Sequence, residues 1–395
     1  MRAAVLIERG QPLVMEDLAL DNPGPNEVLI RVAATGVCHS DLHMAEGSFP
    51  APLPCVLGHE TAGIVEAVGS HVRGLKVGDH VVTCVSGFCG HCQDCLTGHL
   101  SICQDKGTDR PRGSQARMSR PDGQRVHQIG GLSGFAEMML VQERTCVAIN
   151  RDMPLDLASV IGCAVTTGYG AVVHTAAIRP GSTVAVLGCG GVGLMIVNAA
   201  LIAGASRIIA IDQMPAKLAM AQTMGATDVI HAAGIDVVEA VRELTGGGVH
   251  YSFEAIGLKP TVEQSFRMLR HGGTATVVGV APVGTSFDIG AMDLLMERKL
   301  QGSYMGSNQF PIDMPRLVEL YLQGRLKLDE LVSRRIGLAE INTAFDEMKA
   351  GNGVVARSVI CFSKLKEKIQ QSSTFDTNDI DVSIKGLLFE ISTVH

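Results

Sequence analysis

The chain lacks the basic runs that follow nucleic-acid phosphates and the cysteine density that marks small disulfide-bonded scaffolds. Its net charge at pH 7 is −7, and its 11 cysteines are spread over 395 residues. An acidic balance without a basic run gives no reason to expect a nucleic-acid partner, and so few cysteines in so long a chain argue against a disulfide framework. The length predicts two domains with well-packed cores, and the 46% hydrophobic and 18% charged content is ordinary for a globular protein.

Signals for secretion and for membrane insertion are also missing. The apolar start of the chain is interrupted at Glu8, too early for the core of a signal peptide. Residues 180–206 carry no charge and are numerous enough to span a bilayer, but four glycines stand in the middle of this stretch. A strand, a tight turn and a buried helix explain it better, so we expect a cytoplasmic protein without a membrane partner.

Four closely spaced cysteines predict a structural zinc site. Their pattern is C-x2-C-x2-C-x7-C, formed by Cys89, Cys92, Cys95 and Cys103. Such spacing lets one loop surround a single ion, and four thiolates complete the tetrahedral coordination of zinc without an open position. The alternative, a set of disulfides, does not fit the low cysteine content of the chain. This site is therefore expected to be closed and not catalytic.

A glycine-rich turn indicates a dinucleotide site. Residues 183–188 form an apolar run that reads as a buried parallel strand, and an apolar helix is predicted to continue to about Gly204. Glycines at such a turn let the backbone approach a pyrophosphate, which the helix N-terminus then stabilises. The predicted cofactor-binding residues of this G-x-G-x-x-G turn are Gly188, Gly190, Gly191, Val192 and Gly193.

The next predicted strand ends in an acid that favours NAD. Asp212 follows Gly193 at the spacing of about 20 residues at which a carboxylate can accept hydrogen bonds from the ribose hydroxyls. The same charge would repel the 2′-phosphate of NADP. Lys217 comes shortly afterwards and could also reach the ribose, although a solvated helix residue would fit the same spacing.

Strands and helices alternate after this point, which predicts a parallel sheet of about six strands with helices on both faces. Further strands are predicted at 228–231, 250–255, 274–280 and 300–304, and helices from Pro215 and at 236–245 and 261–270. The N-terminal part instead has short β-rich runs at 28–33, 62–68 and 80–85. We expect a compact β domain there, to which helices and a final strand within 311–361 return.

A second group of candidate metal ligands lies outside the four-cysteine loop. Cys38 and His59 stand in two separate glycine-containing segments, and Cys163 stands alone just before the predicted nucleotide domain. Two thiolates and one imidazole leave the fourth position of zinc open, which is typical of a catalytic ion. From spacing alone, an isolated cysteine can equally be a small buried residue.

Several motifs together resemble the zinc-dependent medium-chain alcohol dehydrogenase family, and in particular its longer-loop, liver-type members. They are Gly58-His-Glu-x2-Gly63-x5-Gly69, Cys38-His-Ser-Asp-Leu-His43, the four-cysteine loop, the Gly188–Gly193 turn, Tyr251-Ser-Phe-Glu-Ala-Ile-Gly257 and Val278-Gly-Val280. The resemblance covers residue 1 to about Phe362. It implies an α/β fold with a GroES-like β-rich catalytic domain (1–163 and 304–362) and a doubly wound parallel-sheet Rossmann domain (164–303). Residues 363–395 form an extension without an expected role.

The resemblance also implies roles around the catalytic zinc. Cys38, His59 and Cys163 would bind the ion, and Glu60 would lie just behind it as an occasional ligand. Asp41 would accept the other ring N–H of His59. Ser40 would receive the alcohol proton and His43 would pass it to the surface, unless these two are an ordinary turn serine and surface histidine.

Further implied roles concern the cofactor. His39 and Arg357 would contact the pyrophosphate, although a surface histidine and an exposed strand end would be the ordinary readings. Main-chain groups of Val280, Ser303 and Met305 would hold the nicotinamide carboxamide. The implied assembly is a homodimer with one catalytic and one structural zinc per chain, acting on a small alcohol or aldehyde.

The expected reaction is reversible oxidation of a primary alcohol by NAD. Val85 stands where the liver-type enzymes place a large aromatic residue, which predicts room for a bulky or aromatic alcohol. The first alternative is a thiol-adduct (S-hydroxymethyl) formaldehyde dehydrogenase, which needs cations for an anionic substrate. Candidates are Arg110, Arg112, Arg117 and Arg120, although a solvated basic loop is the preferred interpretation. A second alternative is a relative that binds zinc and NAD without catalysis.

Overall fold

The computed structural model describes residues 1–106, 110–111, 113–351 and 356–362. The predicted extension at 363–395 and Arg112 lie outside these ranges. The helices of the described part are α1 His39–Glu46, α2 Gln93–Leu96, α3 Leu155–Ser159, α4 Ala164–Gly170, α5 Gly191–Ile202, α6 Pro215–Met224, α7 Val237–Thr245, α8 Lys259–Arg267, α9 Ala291–Leu295, α10 Phe310–Leu322 and α11 Ile341–Ala350. Its strands are β1 Arg2–Leu6, β2 Val14–Asp17, β3 Ala19–Leu20, β4 Glu27–Val37, β5 Cys55–Val56, β6 Glu60–Val68, β7 His80–Thr83, β8 Met118–Ser119, β9 Arg125–Gln128, β10 Met138–Gln142, β11 Cys146–Ala148, β12 Thr183–Leu187, β13 Arg207–Asp212, β14 Asp228–His231, β15 Val249–Glu254, β16 Leu269–Val277, β17 Lys299–Gly302, β18 Val332–Ile336 and β19 Arg357–Cys361.

The second half of the chain contains the predicted parallel sheet. Its six strands run in the order β14-β13-β12-β15-β16-β17, and every neighbouring pair is parallel. The central strand β12 is buried along Val184–Leu187, as expected for a strand covered on both faces. The chain adds β13 and β14 on one side of β12 and β15 to β17 on the other, so a crevice opens where β12 meets α5.

Two strands of this sheet differ most in their bounds from the sequence prediction, while the others agree within one residue at each end. Strand β16 begins at Leu269 and ends at Val277, and β17 begins at Lys299 and ends at Gly302. Beyond Val277 the N–H groups of Val278 and Gly279 both donate to the one carbonyl oxygen of Glu254, which ends the regular ladder. The parallel sheet beside the predicted cofactor site nevertheless has the six strands that the sequence predicts.

The N-terminal part is β-rich, as predicted, and strands from the far end of the chain complete its main sheet. This sheet has the order β11-β7-β6-β4-β19-β18, with β10 also paired to β4. The last described strand, β19, lies antiparallel to the central strand β4, with Ser358 opposite Val37. The chain therefore returns to its first part, and the domain boundaries at 163/164 and 303/304 stay predictions. A smaller sheet, β2-β1-β5-β9-β8-β3, packs in the same region.

No helix of the described residues is by itself long and apolar enough to cross a membrane; one bent pair, Leu155–Gly162 and Ala164–Thr175, passes the length and composition test together across a 54° bend. The charge-free stretch noted in the sequence forms β12, a glycine turn and the buried 12-residue helix α5. Helices α4 and α5 pack in the largest apolar cluster together with residues of both large sheets. This cluster fixes Cys163, which directly precedes α4.

Candidate active site

The second group of metal ligands is brought together in one buried cluster. Ligand atoms of Cys38, His59, Glu60 and Cys163 all lie within 4.8 Å of one another. Cys38 follows the end of β4, His59 precedes β6 and Cys163 precedes α4. Two thiolates, an imidazole and a carboxylate are a donor set that zinc accepts. The residues present therefore fit the ion that the sequence predicts.

Asp41 holds His59 in the orientation that metal binding needs. Its side chain is fully buried and accepts three hydrogen bonds: from Cys38 N–H at 3.2 Å, from Gly58 N–H at 3.1 Å and from His59 Nδ1 at 3.0 Å. With its proton on Nδ1, His59 presents the lone pair of Nε2 for coordination. The carboxylate thus ties the ligand-bearing ends of β4 and β6 to one point.

The first thiol of the cluster is held ready as a thiolate. A hydrogen bond from Cys163 lowers the pKa of Cys38 well below its ordinary value, and the charges of Arg357 and His59 act in the same direction against burial. Thiolate is the form that binds zinc. The same hydrogen bond raises the pKa of Cys163 well above its ordinary value, so this pair of thiols supplies one thiolate readily and the second only when a cation is bound.

Glu60 contributes an unsatisfied oxygen to this cluster. Its Oε1 lies 3.4 Å from Arg357 Nη2 and accepts a hydrogen bond from Ala164 N–H at 3.3 Å, whereas Oε2 has no partner among the described residues. Burial raises the pKa of Glu60 to about 7, although Arg357 opposes this effect. Buried polar atoms are normally satisfied, so an unpartnered carboxylate oxygen beside two thiols and an imidazole is consistent with a cation site.

Arg357 is a buried residue and not an exposed strand end. It is 5% exposed, donates to Val37 O at 3.1 Å and pairs with Glu60. A Cβ atom built on Gly191 would lie 2.8 Å from its Nη2. The guanidinium thus stands between the metal cluster and the glycine turn, where it can face the phosphates of a dinucleotide.

The four-cysteine loop has the geometry of a zinc site. Three of its Sγ–Sγ separations are 3.5, 3.8 and 3.9 Å, and a tetrahedron with Zn–S bonds of about 2.3 Å has edges of about 3.8 Å. The N–H groups of His91 and Cys92 donate to Cys89 Sγ, and they lower the pKa of Cys89 to about 6. The predicted ligands are Cys89, Cys92, Cys95 and Cys103, and all four belong to one candidate metal cluster.

The glycine turn leaves room only where a ligand would approach. Gly188 has φ +92°, and a Cβ on Gly193 would lie 1.7 Å from Gly188 O, so neither position tolerates a side chain. A Cβ on Gly190 would meet no atom within 4 Å. Helix α5 begins at Gly191 and points its N-terminus at this open space.

Asp212 lies beside this turn, as predicted. Its carboxylate accepts hydrogen bonds from Cys189 N–H at 2.8 Å and from Met214 N–H at 2.9 Å. These bonds fix the carboxylate at the end of β13 and at the cleft, and the half-buried Lys217 lines the same cleft. Both predicted ribose contacts are therefore within one region, and their roles remain predictions.

The metal cluster and the glycine turn line one cleft of about 1720 Å³. Predicted residues that also line it are His39, Ser40, His43, Val192, Val280, Ser303 and Met305. His43 packs on Phe49 with a centroid separation of 5.3 Å and lies 6.4 Å from His39. Burial and the charge of Arg357 lower the pKa of His39.

Sequence reasoning missed a cation at the catalytic end of the cleft. Lys106 Nζ donates to Val85 O at 3.2 Å and lies 5.6 Å from the ring centroid of Tyr304. It forms no ion pair with the described residues, and it lines the cleft together with Val85 and Tyr304. Nothing in the spacing of the sequence singles out Lys106, because both of these neighbours come from other parts of the chain.

The expectation of a solvated basic loop after the four cysteines is wrong for the three arginines that the structure describes. Arg110 and Arg117 both pair with Glu27, at 2.6 and 2.7 Å, and Arg120 pairs with Glu16 at 2.7 Å. Their side chains are only 16%, 8% and 21% exposed. These guanidinium groups already hold carboxylates of the N-terminal part, so they are neither solvated nor free to bind an anionic substrate.

Comparisons with known proteins agree with this arrangement. Residues 24–151 match the family model of the alcohol dehydrogenase GroES-like domain, and residues 191–322 match that of the zinc-binding dehydrogenases. The chain is 36% identical to an alcohol dehydrogenase class-3 of Dictyostelium discoideum, over 91% of this chain and 97% of the relative. It is 37% identical to an S-(hydroxymethyl)glutathione dehydrogenase of Saccharomyces cerevisiae, over 92% and 97%. The crystal structure of benzyl alcohol dehydrogenase from Acinetobacter calcoaceticus is 34% identical, with a TM-score of 0.84 over 92% of this chain and 99% of that one.

Proposed function

Because the chain belongs to the zinc-dependent medium-chain alcohol dehydrogenase family, we propose that it catalyses reversible hydride transfer between a primary alcohol and NAD. The products are an aldehyde and NADH. The observation that carries this proposal is that ligand atoms of Cys38, His59 and Cys163 converge within 4.8 Å in the cleft that the glycine turn also lines. A buried metal site beside a dinucleotide turn is what an alcohol dehydrogenase needs.

The metal and the cofactor each have a place in this proposal. When bound, zinc supplies a Lewis acid that lowers the pKa of the alcohol hydroxyl, and NAD supplies the hydride acceptor. Cys38, His59 and Cys163 bind the ion, and Asp41 keeps the imidazole of His59 in the binding orientation. Glu60 offers its unpartnered Oε2 as a further ligand.

The remaining residues handle the proton and orient the cofactor. Ser40 Oγ accepts the proton of the alcohol hydroxyl as its own hydroxyl proton leaves towards His43, and His43 passes a proton to solvent at the outer side of the cleft. The guanidinium of Arg357 offsets the charge of the pyrophosphate, His39 contacts the same group through its ring N–H, and Asp212 accepts hydrogen bonds from the ribose hydroxyls. The apolar walls of the cleft exclude water around the reacting carbon.

Turnover and metal content test the proposal together. Purified protein should contain two zinc ions per chain and should produce NADH at pH 8 to 9 from ethanol, hexanol or benzyl alcohol. Cys163→Ser should lose one zinc and all activity, whereas Cys146→Ser, a buried cysteine outside both clusters, should keep both ions.

Ser40→Ala should slow turnover by about 10²-fold or more, and Ser48→Ala, at an exposed serine of the same segment, should not. Two zinc ions without turnover on any alcohol would favour a non-catalytic relative.

We propose bulky or aromatic primary alcohols as the preferred substrates. Val85 lines the cleft near the metal cluster, and its short side chain leaves space beside the reacting carbon. The similarity to a benzyl alcohol dehydrogenase supports this choice. The test is the ratio of kcat/KM for benzyl alcohol to that for ethanol, which should be well above one.

A thiol-adduct formaldehyde dehydrogenase is the second candidate, and Lys106 is the observation that favours it. An S-hydroxymethyl conjugate is anionic, and Lys106 offers a positive charge at the catalytic end of the cleft without a carboxylate partner among the described residues. The relatives of the chain include an S-(hydroxymethyl)glutathione dehydrogenase. NADH production from formaldehyde only when glutathione is present, abolished in Lys106→Met, would establish this candidate over the first.

We also propose that the protein forms a homodimer through the parallel sheet. Strand β17 is the edge of that sheet, and exposed apolar side chains of Met292, Leu294 and Leu295 stand just before it. An open edge with apolar neighbours is a surface that a second copy can cover. Light scattering coupled to gel filtration should give twice the mass of the 41.7 kDa chain, and Leu295→Glu should reduce it.

A further inference from the structure

The segment that leaves strand β17 has an unfavourable backbone conformation. Met305, Gly306 and Ser307 have φ values of 50°, 69° and 49°, so three consecutive residues are left-handed and two of them carry side chains. Residues with a Cβ adopt this conformation only when their surroundings impose it. Something in the fold must therefore hold Met305–Ser307 in place.

Close backbone packing provides one restraint. A Cβ on Gly306 would lie 2.5 Å from Thr166 O, and a Cβ on Gly170 would lie 2.1 Å from Gly306 O. The left-handed segment is thus pressed against helix α4 by a contact between two glycines. This contact sets the distance between the two elements, but it does not bind the side chains at either end of the segment.

The hydroxyl of a single threonine, Thr175, bonds to serines before and at the end of the left-handed segment. Thr175 Oγ1 lies 2.7 Å from Ser303 Oγ and 2.8 Å from Ser307 Oγ. Its carbonyl oxygen also accepts a hydrogen bond from Gln301 Nε2 at 3.1 Å. One residue therefore bonds to the end of β17 and to residues on both sides of the segment that contains Tyr304 and Met305.

An irregular turn presents Thr175 to these partners. Residues Ala171–Thr175 form a π-type turn, in which Ala176 N–H donates to Ala171 O five residues earlier. Such a turn holds one residue more than a regular helical turn, and it changes the direction in which the following side chains point. Irregular turns of this kind are frequent at functional sites.

We propose that Thr175 is a positioning residue for cofactor binding. It does not line the cleft, whereas Ser303, Tyr304, Met305 and Ser307 all do. By joining the hydroxyls of Ser303 and Ser307, it holds the main chain of this segment where the nicotinamide carboxamide is received. The inference rests on the proposed function, since it assigns to Thr175 the support of the predicted cofactor contacts.

The test compares three variants. Thr175→Val removes the hydroxyl at nearly unchanged shape, Thr175→Ser keeps it, and Thr223→Val makes the same change at an exposed helical threonine whose hydroxyl bonds only to its own helix. Because the chain has no tryptophan, NADH affinity is followed by the fluorescence of NADH itself. Hydrogen–deuterium exchange of residues 303–308 without cofactor gives a readout independent of activity.

Thr175→Val should raise the Kd for NADH and the KM for NAD about tenfold, with a smaller change in kcat. It should also speed amide exchange in residues 303–308 and leave the four-cysteine loop unchanged. Thr175→Ser should restore both values to within about twofold of the wild type, and Thr223→Val should resemble the wild type throughout. Should Thr175→Val fail to fold, Ser307→Ala removes one of the two hydroxyl bonds from the other side and should weaken NADH binding in the same direction by a smaller factor.

Two results would overturn the inference. Wild-type NADH affinity in folded Thr175→Val would do so, and faster exchange without weaker NADH binding would reduce Thr175 to a purely structural residue. A wild-type protein that binds no NADH and oxidises no alcohol would instead overturn the proposed function and the positioning role with it.

Discussion

At the scale of single residues, Val85 lines the cleft that also holds the metal cluster. We predict that Val85→Phe lowers the ratio of kcat/KM for benzyl alcohol to that for ethanol by at least about tenfold, because the ring fills space that an aromatic substrate would occupy. Steady-state kinetics with both alcohols measures this ratio. Val77→Phe makes the same substitution at a side chain that is 60% exposed, and it should leave the ratio unchanged. An unchanged ratio in Val85→Phe would show that the pocket lies elsewhere.

Asp41 acts through His59, so its replacement should affect the metal before it affects the fold. Asp41→Asn replaces one carboxylate oxygen with an NH₂ group, so either Cys38 N–H loses its acceptor or Gly58 N–H and His59 Nδ1–H lose theirs. We expect zinc affinity at the Cys38 site to fall by about 10–100-fold. Competition with a chelator measures it, and the four-cysteine site serves as an internal reference. Glu46→Gln, at an exposed position of the same helix, should retain zinc as the wild type does.

At the scale of elements, Glu27 joins the start of β4 to the loop that follows the four cysteines. Burial raises the pKa of Glu27, but hydrogen bonds from Arg110, Gly24 N–H and Arg117 outweigh this effect, and the pKa falls to about 2. A carboxyl whose pKa is lower in the folded state stabilises the fold above its unfolded pKa of about 4.3, and this contribution is lost as the pH falls towards 2. Stability should therefore decline between about pH 5 and pH 2 on account of this residue.

Glu27→Gln tests that pH dependence. We predict a loss of about 2–3 kcal/mol in the free energy of unfolding at pH 7, with a smaller difference between variant and wild type at pH 3. Denaturant unfolding at several pH values measures both. Glu66→Gln removes a half-exposed partner of Arg31 and should cost less than about 1 kcal/mol at any pH. A Glu27→Gln penalty that stays constant between pH 7 and pH 3 would contradict the assigned cause.

At the scale of the whole molecule, the cleft is lined by residues from Cys38 to Ser358, so a bound cofactor would contact both parts of the chain. NADH at a hundredfold excess over its Kd should add about 2.7 kcal/mol to the free energy of unfolding. NADPH at the same concentration should add much less, because its 2′-phosphate would face the carboxylate of Asp212. Thermal unfolding with each cofactor measures the difference. Equal stabilisation by the two cofactors would contradict the predicted preference for NAD.

The parts of the site that the sequence predicted are those whose geometry depends on near neighbours. The four-cysteine loop closes between Cys89 and Cys103, and the Gly188–Gly193 turn needs only the strand before it and the helix after it. Local spacing is enough to specify both. Four closely spaced thiolates can surround one zinc ion in few backbone conformations, and φ +92° at position 188 requires a glycine. The six-strand alternation was predicted for the same reason, whereas the C-terminal end of β16 depends on hydrogen bonds to Glu254 and was misplaced.

Only the tertiary structure decided which residues from distant parts of the chain contact one another. Cys163 joins Cys38 and His59 from a remote part of the chain, and spacing alone left it as either a ligand or a small buried residue. The arginines after the four cysteines looked solvated, because nothing local indicates that Glu16 and Glu27 reach them. No motif or spacing in the sequence indicates a role for Thr175. Its importance depends on three left-handed residues far along the chain, and a strained backbone held by a distant hydroxyl leaves no pattern in the sequence.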